Sequence, residues 1–355
     1  MKKYLYYAII PLIIAIILFS FKGDFVKAET KYQQSKAECV MEVNSGRVLY
    51  SNNENLKVEM ASTTKILTAI TVIDNFDISK EVVVPKSATG IEGSSVYLKE
   101  GEKLTVKELL YCLMLRSGND SAECLAQTLI NRDDFIKLMN QTAKKIGANS
   151  SNFVNPHGLS DKNHYTTAYD LCLISCYAMK NATFKEIVST KRIEVSNDFY
   201  DYNRVLINKN KFLFNYDGAT GVKTGYTKSA GRCLVSSANK NGMEVVSVVI
   251  NSPQMWERST ELIDNAYKDY KIYKILNRDE FSTTLYGFNN KILAIELQNE
   301  FSFPLTSNEV NEVCYKIDGK TLSEFAKNPK EIAVFEIFIK NKLIFSQNVF
   351  TILCR

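Results

Sequence analysis

Histidine is nearly absent: His157 and His164 are the only two in the chain. That scarcity argues against zinc, whose closed sites are built from several cysteine and histidine ligands. Cys172 and Cys176 are four apart on a predicted helix, and a shared helix face alone is not a ligand set. No metal and no cofactor is expected. A large excess of either charge is missing too. The formal net charge is +5, but Lys2, Lys3, Lys22 and Lys27 against Asp24 carry +3 of it, which leaves about +2 beyond residue 28. So weak a balance gives no reason to expect nucleic acid as a partner. Past the N-terminus no segment resembles a membrane span, and there is no internal repeat, long linker or low-complexity tract.

What is present describes a globular, exported protein. Apolar residues at 45% and charged residues at 23% exclude a disordered or fibrous chain, and 355 residues predict two domains. Lys2 and Lys3 precede an apolar run from Leu5 to Phe21, and Val26-Lys27-Ala28 offers small or branched residues at a cleavage site. Residues 1–28 are therefore expected to be a signal peptide, with a mature chain beginning at Glu29. An uncleaved anchor is the rival, because this stretch of 17 residues, broken only by Pro11 and Ser20, lies near the lower limit of about 17 for a spanning helix. Either way the protein is expected outside the cytoplasm, at the cell wall or the outer membrane face, with membrane association only through this segment. Eight cysteines in such a protein would ordinarily mean disulfides. Cys112, Cys124 and Cys172 instead sit inside apolar helical patterns and Cys233 in a strand pattern, which predicts buried thiols acting as small hydrophobes.

Two architectures follow one another along the chain. Glu38–Glu42 and Arg47–Tyr50 read as strands around an Asn44-Ser45-Gly46 turn. Helical patterns run from Ser62 to Asp74, from a Thr105/Glu108 capping box to Ser117-Gly118, and over 121–131, 134–146 and 167–179. Strand patterns return at Thr220–Tyr226, Arg232–Ala238 and Met243–Ile250, with an Asn241-Gly242 turn, before a helix over Trp256–Tyr267. Helices inserted between strands of one mostly antiparallel sheet predict an α+β, three-layer domain with helices on both faces, over residues 29–272. Short β-rich runs follow at Thr283–Tyr286, Ile292–Leu297, Val313–Ile317, Ile332–Ile339 and Leu343–Leu353, the last two linked by Lys340-Asn341-Lys342. Residues 273–355 are expected to form a small all-β C-terminal domain.

Three short motifs carry chemistry. Ser62-Thr63-Thr64-Lys65 opens a helix, Ser117-Gly118-Asn119 ends one, and Lys223-Thr224-Gly225 lies on a strand. Serine and lysine three apart share a helix face, so Lys65 can reach the Ser62 hydroxyl. Serine becomes nucleophilic when a neighbouring base takes its proton. Lysine serves as that base once burial and a nearby cation, here Lys223, lower its pKa. A helix N-terminus at Ser62 would favour negative charge developing there. The Ser117 hydroxyl can relay a proton to a leaving amine, and the Asn119 amide can hold a substrate carbonyl and the lysine. An exposed strand at Lys223–Gly225 can pair with an extended peptide. Gly225 leaves room for it, while Lys223 and Thr224 can bind a carboxylate, which suits a peptide with a free C-terminus. Each motif alone is weak; three in order on the right elements are not.

The ordered set resembles that of class A β-lactamases and penicillin-binding proteins. Met60 to Ala69, Ser117-Gly118-Asn119-Asp120, Asn155-Pro156-His157-Gly158-Leu159, His164-Tyr165-Thr166-Thr167 and Lys223 to Thr227 are similar to the low-molecular-mass D-alanyl-D-alanine carboxypeptidases. The likeness covers about Glu38 to Tyr267. It implies an acyl-enzyme on Ser62, Lys65 as general base, and a proton path completed by Ser117 and Asn119. Lys223 and Thr224 would bind the terminal carboxylate, and the backbone N–H groups of Ser62 and Tyr226 would form the oxyanion hole. The implied substrates are peptidoglycan stem peptides ending in D-Ala-D-Ala, and β-lactam antibiotics would be covalent inhibitors. The β-rich tail resembles the C-terminal domain of many members. Where several relatives end in an amphipathic membrane-binding helix, this sequence ends at Cys354-Arg355, directly after a strand pattern.

His157 and His164 are expected to brace a loop near the cleft, since Lys65 already supplies a base. Trp256 is expected to pack in the core. Arg258 has two readings, a substrate-carboxylate ligand or part of a solvated helix face. Two other functions compete on the same fold. A class A β-lactamase needs a glutamate in a Glu-x-x-x-Asn segment. Glu123, Glu186 and Glu194 are instead followed four residues on by Gln127, Thr190 and Asp198. A non-catalytic wall-binding protein would have no need of a nucleophile paired with a base. An endopeptidase acting on cross-links would share the site chemistry.

Overall fold

Alternation along the first strand decides the architecture. In the computed structural model, which describes residues 35–195, 199, 201, 203–277, 282–286, 292–296, 299–319 and 331–352, Cys39 and Met41 join one apolar core and Val40 another. Side chains alternate across a strand, so both faces of this sheet are covered. The expected signal segment, its cleavage site, and the Cys354-Arg355 terminus lie outside the described residues.

Strands β1 (Ala37–Glu42) and β2 (Val48–Asn52) form an antiparallel pair, and a 3-10 turn over Ala61–Thr64 leads into helix α1 (Lys65–Asn75). A two-stranded ribbon, β3 (Glu81–Val83) with β4 (Lys103–Thr105), precedes α2 (Val106–Arg116), α3 (Asn119–Thr128), α4 (Arg132–Ile146), α5 (Ala168–Met179) and α6 (Ala182–Ser189). A second ribbon, β5 (Arg192–Val195) with β6 (Arg204–Ile207), and the short α7 (Phe212–Asn215) follow. Then come β7 (Ala219–Thr227), β8 (Gly231–Lys240), β9 (Met243–Ile250) and α8 (Met255–Asp269). The main sheet has the order β2-β1-β9-β8-β7 with antiparallel neighbours, which leaves β7 at an edge.

The three layers are those expected from the sequence. On one face Val246, Val248 and Ile250 of β9 meet the helices from α1 to α6; on the other Met243, Val245 and Val249 meet Leu262, Ile263 and Ala266 of α8. Every residue of β1 and β9 is buried, which explains why apolar residues stand on both faces of β9 instead of alternating with polar ones. The cysteine expectation holds where it is described: Cys39, Cys112, Cys124, Cys172, Cys176 and Cys233 are free and buried, while Cys314 is exposed.

The sheet-rich C-terminal region comprises β10 (Lys271–Leu276), β11 (Ser282–Tyr286), β12 (Ile292–Glu296), β13 (Phe301–Leu305), β14 (Val313–Gly319), β15 (Glu331–Ile339) and β16 (Lys342–Ile352). It makes one antiparallel sheet in the order β11-β12-β16-β15-β14 and a separate β10-β13 pair, around their own apolar clusters. Lys340 and Asn341 both have positive φ, +51° and +62°, as the tight β15–β16 hairpin turn requires. Leu297 and Leu353, expected as strand ends, fall outside the described residues. Arg47, next to the first turn, ties this region to the main sheet by donating to Pro304 O and Glu309 Oε1, each at 2.6 Å.

Several boundaries differ from expectation. The helix expected from Ser62 starts at Lys65, because Ala61 adopts a left-handed φ of +50° and the chain enters through a 3-10 turn. The helix expected at 121–131 runs Asn119–Thr128, so the second motif joins two helices instead of only ending one. The ribbons β3–β4 and β5–β6, helix α6 and strands β10 and β13 were not anticipated.

Candidate active site

The turn that carries Ser62 is held by close packing. In a 3-10 turn residues i and i+3 eclipse one another, which places Lys65 Nζ 3.1 Å from Ser62 Oγ. Gly158, at φ +88°, lies so close to this turn that a Cβ there would sit 2.0 Å from Ala61 O. On the other side a Cβ at Gly225 would meet Met60 O at 3.0 Å and Ser62 N at 3.1 Å. The room left by Gly225 is therefore taken chiefly by the Ser62 turn, although the residue also lines the cleft.

Lys65 is fully buried and has three oxygen neighbours: Ser62 Oγ at 3.1 Å, Asn119 Oδ1 at 2.7 Å and His157 O at 2.6 Å. Asn119 Nδ2 donates to Glu92 O, which settles the orientation of the amide. Two of the three neighbours are carbonyl oxygens that only accept. A neutral amine has two hydrogens and one lone pair, so the carbonyls take the hydrogens and the lone pair faces the Ser62 hydroxyl. Burial lowers the pKa of Lys65 well below 10.5, and the charge of Lys223 lowers it further. Lys223 is itself buried, donates to Thr224 O at 3.1 Å, and is lowered to about 7 by burial and by Lys209.

The second motif is built by helix termini. A complete capping box starts α2: Glu108 N donates to Thr105 Oγ1 at 3.2 Å and Thr105 N to Glu108 Oε2 at 2.8 Å. The helix stops at Ser117, a left-handed C-cap at φ +65°, and α3 starts two residues on at Asn119. Buried Asp120 fastens the facing loop by accepting from Ser95 Oγ and the N–H groups of Val96 and Leu98.

These elements meet at a cleft of about 450 Å³, lined by Ser62, Ser94, Ser117, Lys209, Thr224, Gly225, Tyr226, Arg232, Met255 and Trp256. Five of the eight expected site residues are on its wall; Lys65, Asn119 and Lys223 are buried behind it. Ser94, Lys209, Arg232 and Met255 were missed. Arg232 stands opposite Tyr226 across the β7–β8 pair, a register that the strand patterns alone do not specify. Trp256 packs against the α8-side core as expected and also lines the cleft.

Other residues fall into structural roles. His164 Nδ1 accepts from Val154 N at 3.1 Å, so Nε2 carries the hydrogen toward Thr64 Oγ1 at 2.8 Å, and burial lowers its pKa to about 4. His157 Nδ1 accepts from Leu159 N, leaving Nε2–H to face Glu123 Oε1 at 3.2 Å. Both rings brace the loop between them and neither lines the cleft. Arg258 corrects both of its readings. It donates to both oxygens of buried Glu38 at 2.8 Å and to Glu261 at 2.9 Å, lies over the Tyr50 ring, and is 20% exposed. It is neither a cleft residue nor a solvated one. Glu123, Glu186 and Glu194 are engaged by Arg132, Lys107 and Arg192, and none lines the cleft. Among the described residues no cluster of side chains suits a metal ion, and no helix is long and apolar enough to cross a membrane.

Comparison with known proteins agrees with this geometry. The peptidase family described as D-alanyl-D-alanine carboxypeptidase matches residues 25–254. D-alanyl-D-alanine carboxypeptidase DacF of Bacillus subtilis is 31% identical over 284 residues, 76% of this chain and 73% of that protein. The solved structure of a mutant Streptomyces DD-transpeptidase superposes with a TM-score of 0.62 at 31% identity, over 66% of this chain and 98% of that one. Penicillin binding protein 5 from Haemophilus influenzae shares the fold, with a TM-score of 0.74 at 23% identity over 90% and 96% of the two chains. This chain belongs to the D-alanyl-D-alanine carboxypeptidase family of serine-type hydrolases.

Proposed function

We propose that the protein removes the terminal D-Ala from peptidoglycan stem peptides through an acyl-enzyme on Ser62. Neutral Lys65 takes the Ser62 proton as Oγ attacks the carbonyl of the penultimate D-Ala. The backbone N–H groups of Ser62 and Tyr226 receive the oxyanion. Ser117 passes the proton to the departing amine, and Asn119 holds Lys65 in place. The D-Ala leaves, and water, activated by the same lysine, hydrolyses the ester and restores Ser62. Thr224 donates to the terminal carboxylate, and Lys223 and Lys209 supply positive charge around it. Penicillins acylate Ser62 by the same attack on the lactam carbonyl.

The observation that carries this reading is the amine of Lys65, whose two carbonyl partners leave its lone pair to Ser62. The lactamase alternative finds no support, since no glutamate of the described residues lines the cleft to activate a deacylating water. The same proposal includes export through residues 1–28 and a separate β-rich domain over 273–355. Defined muropeptides incubated with the protein should lose one D-Ala, read by mass, and labelled penicillin should attach to Ser62. Ser62→Ala should abolish both and leave the fold intact. No D-Ala release by the wild type, or an adduct on another serine, would refute the reading.

A further inference from the structure

The cleft continues past Thr224 over Tyr226, Arg232, Met255 and Trp256. In the β7–β8 hairpin Thr224 stands opposite Leu234 and Tyr226 opposite Arg232. Side chains two apart on a strand share a face, so Thr224, Tyr226, Arg232 and Leu234 project together, toward the side where Leu234 packs with Met255. Lys223 and Gly225 project the other way. Thr224 and Arg232 are thus diagonal neighbours, about 7–8 Å apart and within reach of a long side chain. Arg258, the arginine the sequence offered for a carboxylate, is committed to Glu38. Arg47, Arg132 and Arg204 are likewise paired with carboxylates, whereas among the described residues no ion pair involves Arg232, which is exposed.

We propose that Arg232 is the specificity-determining cation for the leaving residue: its guanidinium binds the free C-terminal carboxylate together with Thr224, against an apolar wall of Met255 and Trp256. This rests on the carboxypeptidase reading above. A guanidinium matches a carboxylate with two parallel hydrogen bonds, which a lysine at the same place would not reproduce. The arrangement selects peptides that end at the leaving residue and makes a capped or continuing chain a poor substrate.

The test compares an N-acylated tripeptide ending in D-Ala-D-Ala with its C-terminal carboxamide, as substrates of the full-length protein. Arg232→Gln should lower kcat/KM on the free acid about 10- to 100-fold, mainly through KM, as loss of a charge-assisted hydrogen bond predicts. On the carboxamide it should change kcat/KM less than about threefold, and Arg232→Lys should fall between on the free acid. Because Arg232 is exposed, the unfolding midpoint should not move. Equal losses on both peptides, or no loss on the free acid, would overturn the proposal while the wild type remained active. A wild type that cleaves the terminal residue from neither peptide would instead overturn the carboxypeptidase reading, and this inference with it.

Discussion

Ser62 Oγ and Lys65 Nζ lie 3.1 Å apart, with the remaining hydrogen-bonding directions of the amine closed by Asn119 Oδ1 and His157 O. The pairing defines a base only while Lys65 is unprotonated, because an ammonium would present a third hydrogen to the serine in place of a lone pair. Burial and the charge of Lys223 both act against that third proton.

The pH dependence follows with a definite sign. Lys65 is active when neutral, so kcat/KM should rise as pH passes upward through its lowered pKa. Lys223 aids anion binding when charged, so kcat/KM on a free-acid peptide should fall as pH passes about 7, where Lys223 titrates. The rise should lie well below pH 10.5, and the loss above about 7 should be steeper for a free-acid peptide than for a carboxamide, which feels Lys223 only through Lys65. A single rising limb near 10.5 would show that neither lysine is perturbed.

Glu123 is the outer member of a chain that reaches Lys65. Arg132 and the His157 ring hold its carboxylate, and the His157 carbonyl accepts from Lys65. These hydrogen bonds outweigh the opposing effect of burial and depress the Glu123 pKa from 4.5 to about 2. A depressed carboxylate stabilises the fold fully above its unfolded pKa and loses that contribution as pH falls toward the folded one. Glu123→Gln should therefore lower the unfolding midpoint most at neutral pH, with the gap to wild type closing between about pH 4.5 and 2. Because His157 also positions Lys65, the acid limb of the kcat/KM profile should shift as well. A midpoint change without any shift in the profile would confine Glu123 to stability.

Gly158 tests the docking of its loop on the nucleophile turn. Alanine would have to adopt φ +88° and place a methyl 2.0 Å from Ala61 O. Strained backbone of this kind is worth about 1–3 kcal/mol per residue, and here relief requires moving the Ser62 turn itself. Gly158→Ala should lose at least that much stability in chemical denaturation and most of its penicillin labelling. Full labelling at wild-type stability would mean that the loop can move away freely.

Much of this was legible in the sequence. The β7–β8–β9 meander and the β15–β16 hairpin carry local signals in Asn241-Gly242 and Lys340-Asn341, and the Thr105/Glu108 capping box forms as expected. The motif order was enough to gather Ser62, Lys65, Ser117, Asn119 and Lys223 in one region. What stayed hidden depends on distant partners or on very short elements. Strands β3 and β4 are three residues each, too short to display a period of two. Arg258 reads as a helix-face residue until Glu38, 220 positions away, takes both of its guanidinium branches. The 3-10 turn at Ser62 packs closely against Gly158 and Gly225, and no local pattern around Ser62 announces these distant neighbours.

Thr224 separates substrate recognition from chemistry. Its hydroxyl is on the cleft wall, whereas Lys223 is buried behind it and acts on both the substrate and the base. A charge-assisted hydrogen bond contributes about 1.5–3 kcal/mol, and about 1.4 kcal/mol is tenfold in rate. Thr224→Val keeps the branched shape suited to the strand and removes only the hydroxyl. It should lower kcat/KM about ten- to a hundredfold for a peptide with a free terminal carboxylate, and the loss should nearly vanish for an amide- or ester-capped analogue. Lys223→Ala should impair both substrates, because removing its charge raises the pKa of Lys65 as well. Equal losses for free and capped peptides in Thr224→Val would refute the carboxylate contact. That result would favour an endopeptidase, whose substrate continues past this position and presents no terminal carboxylate to Thr224.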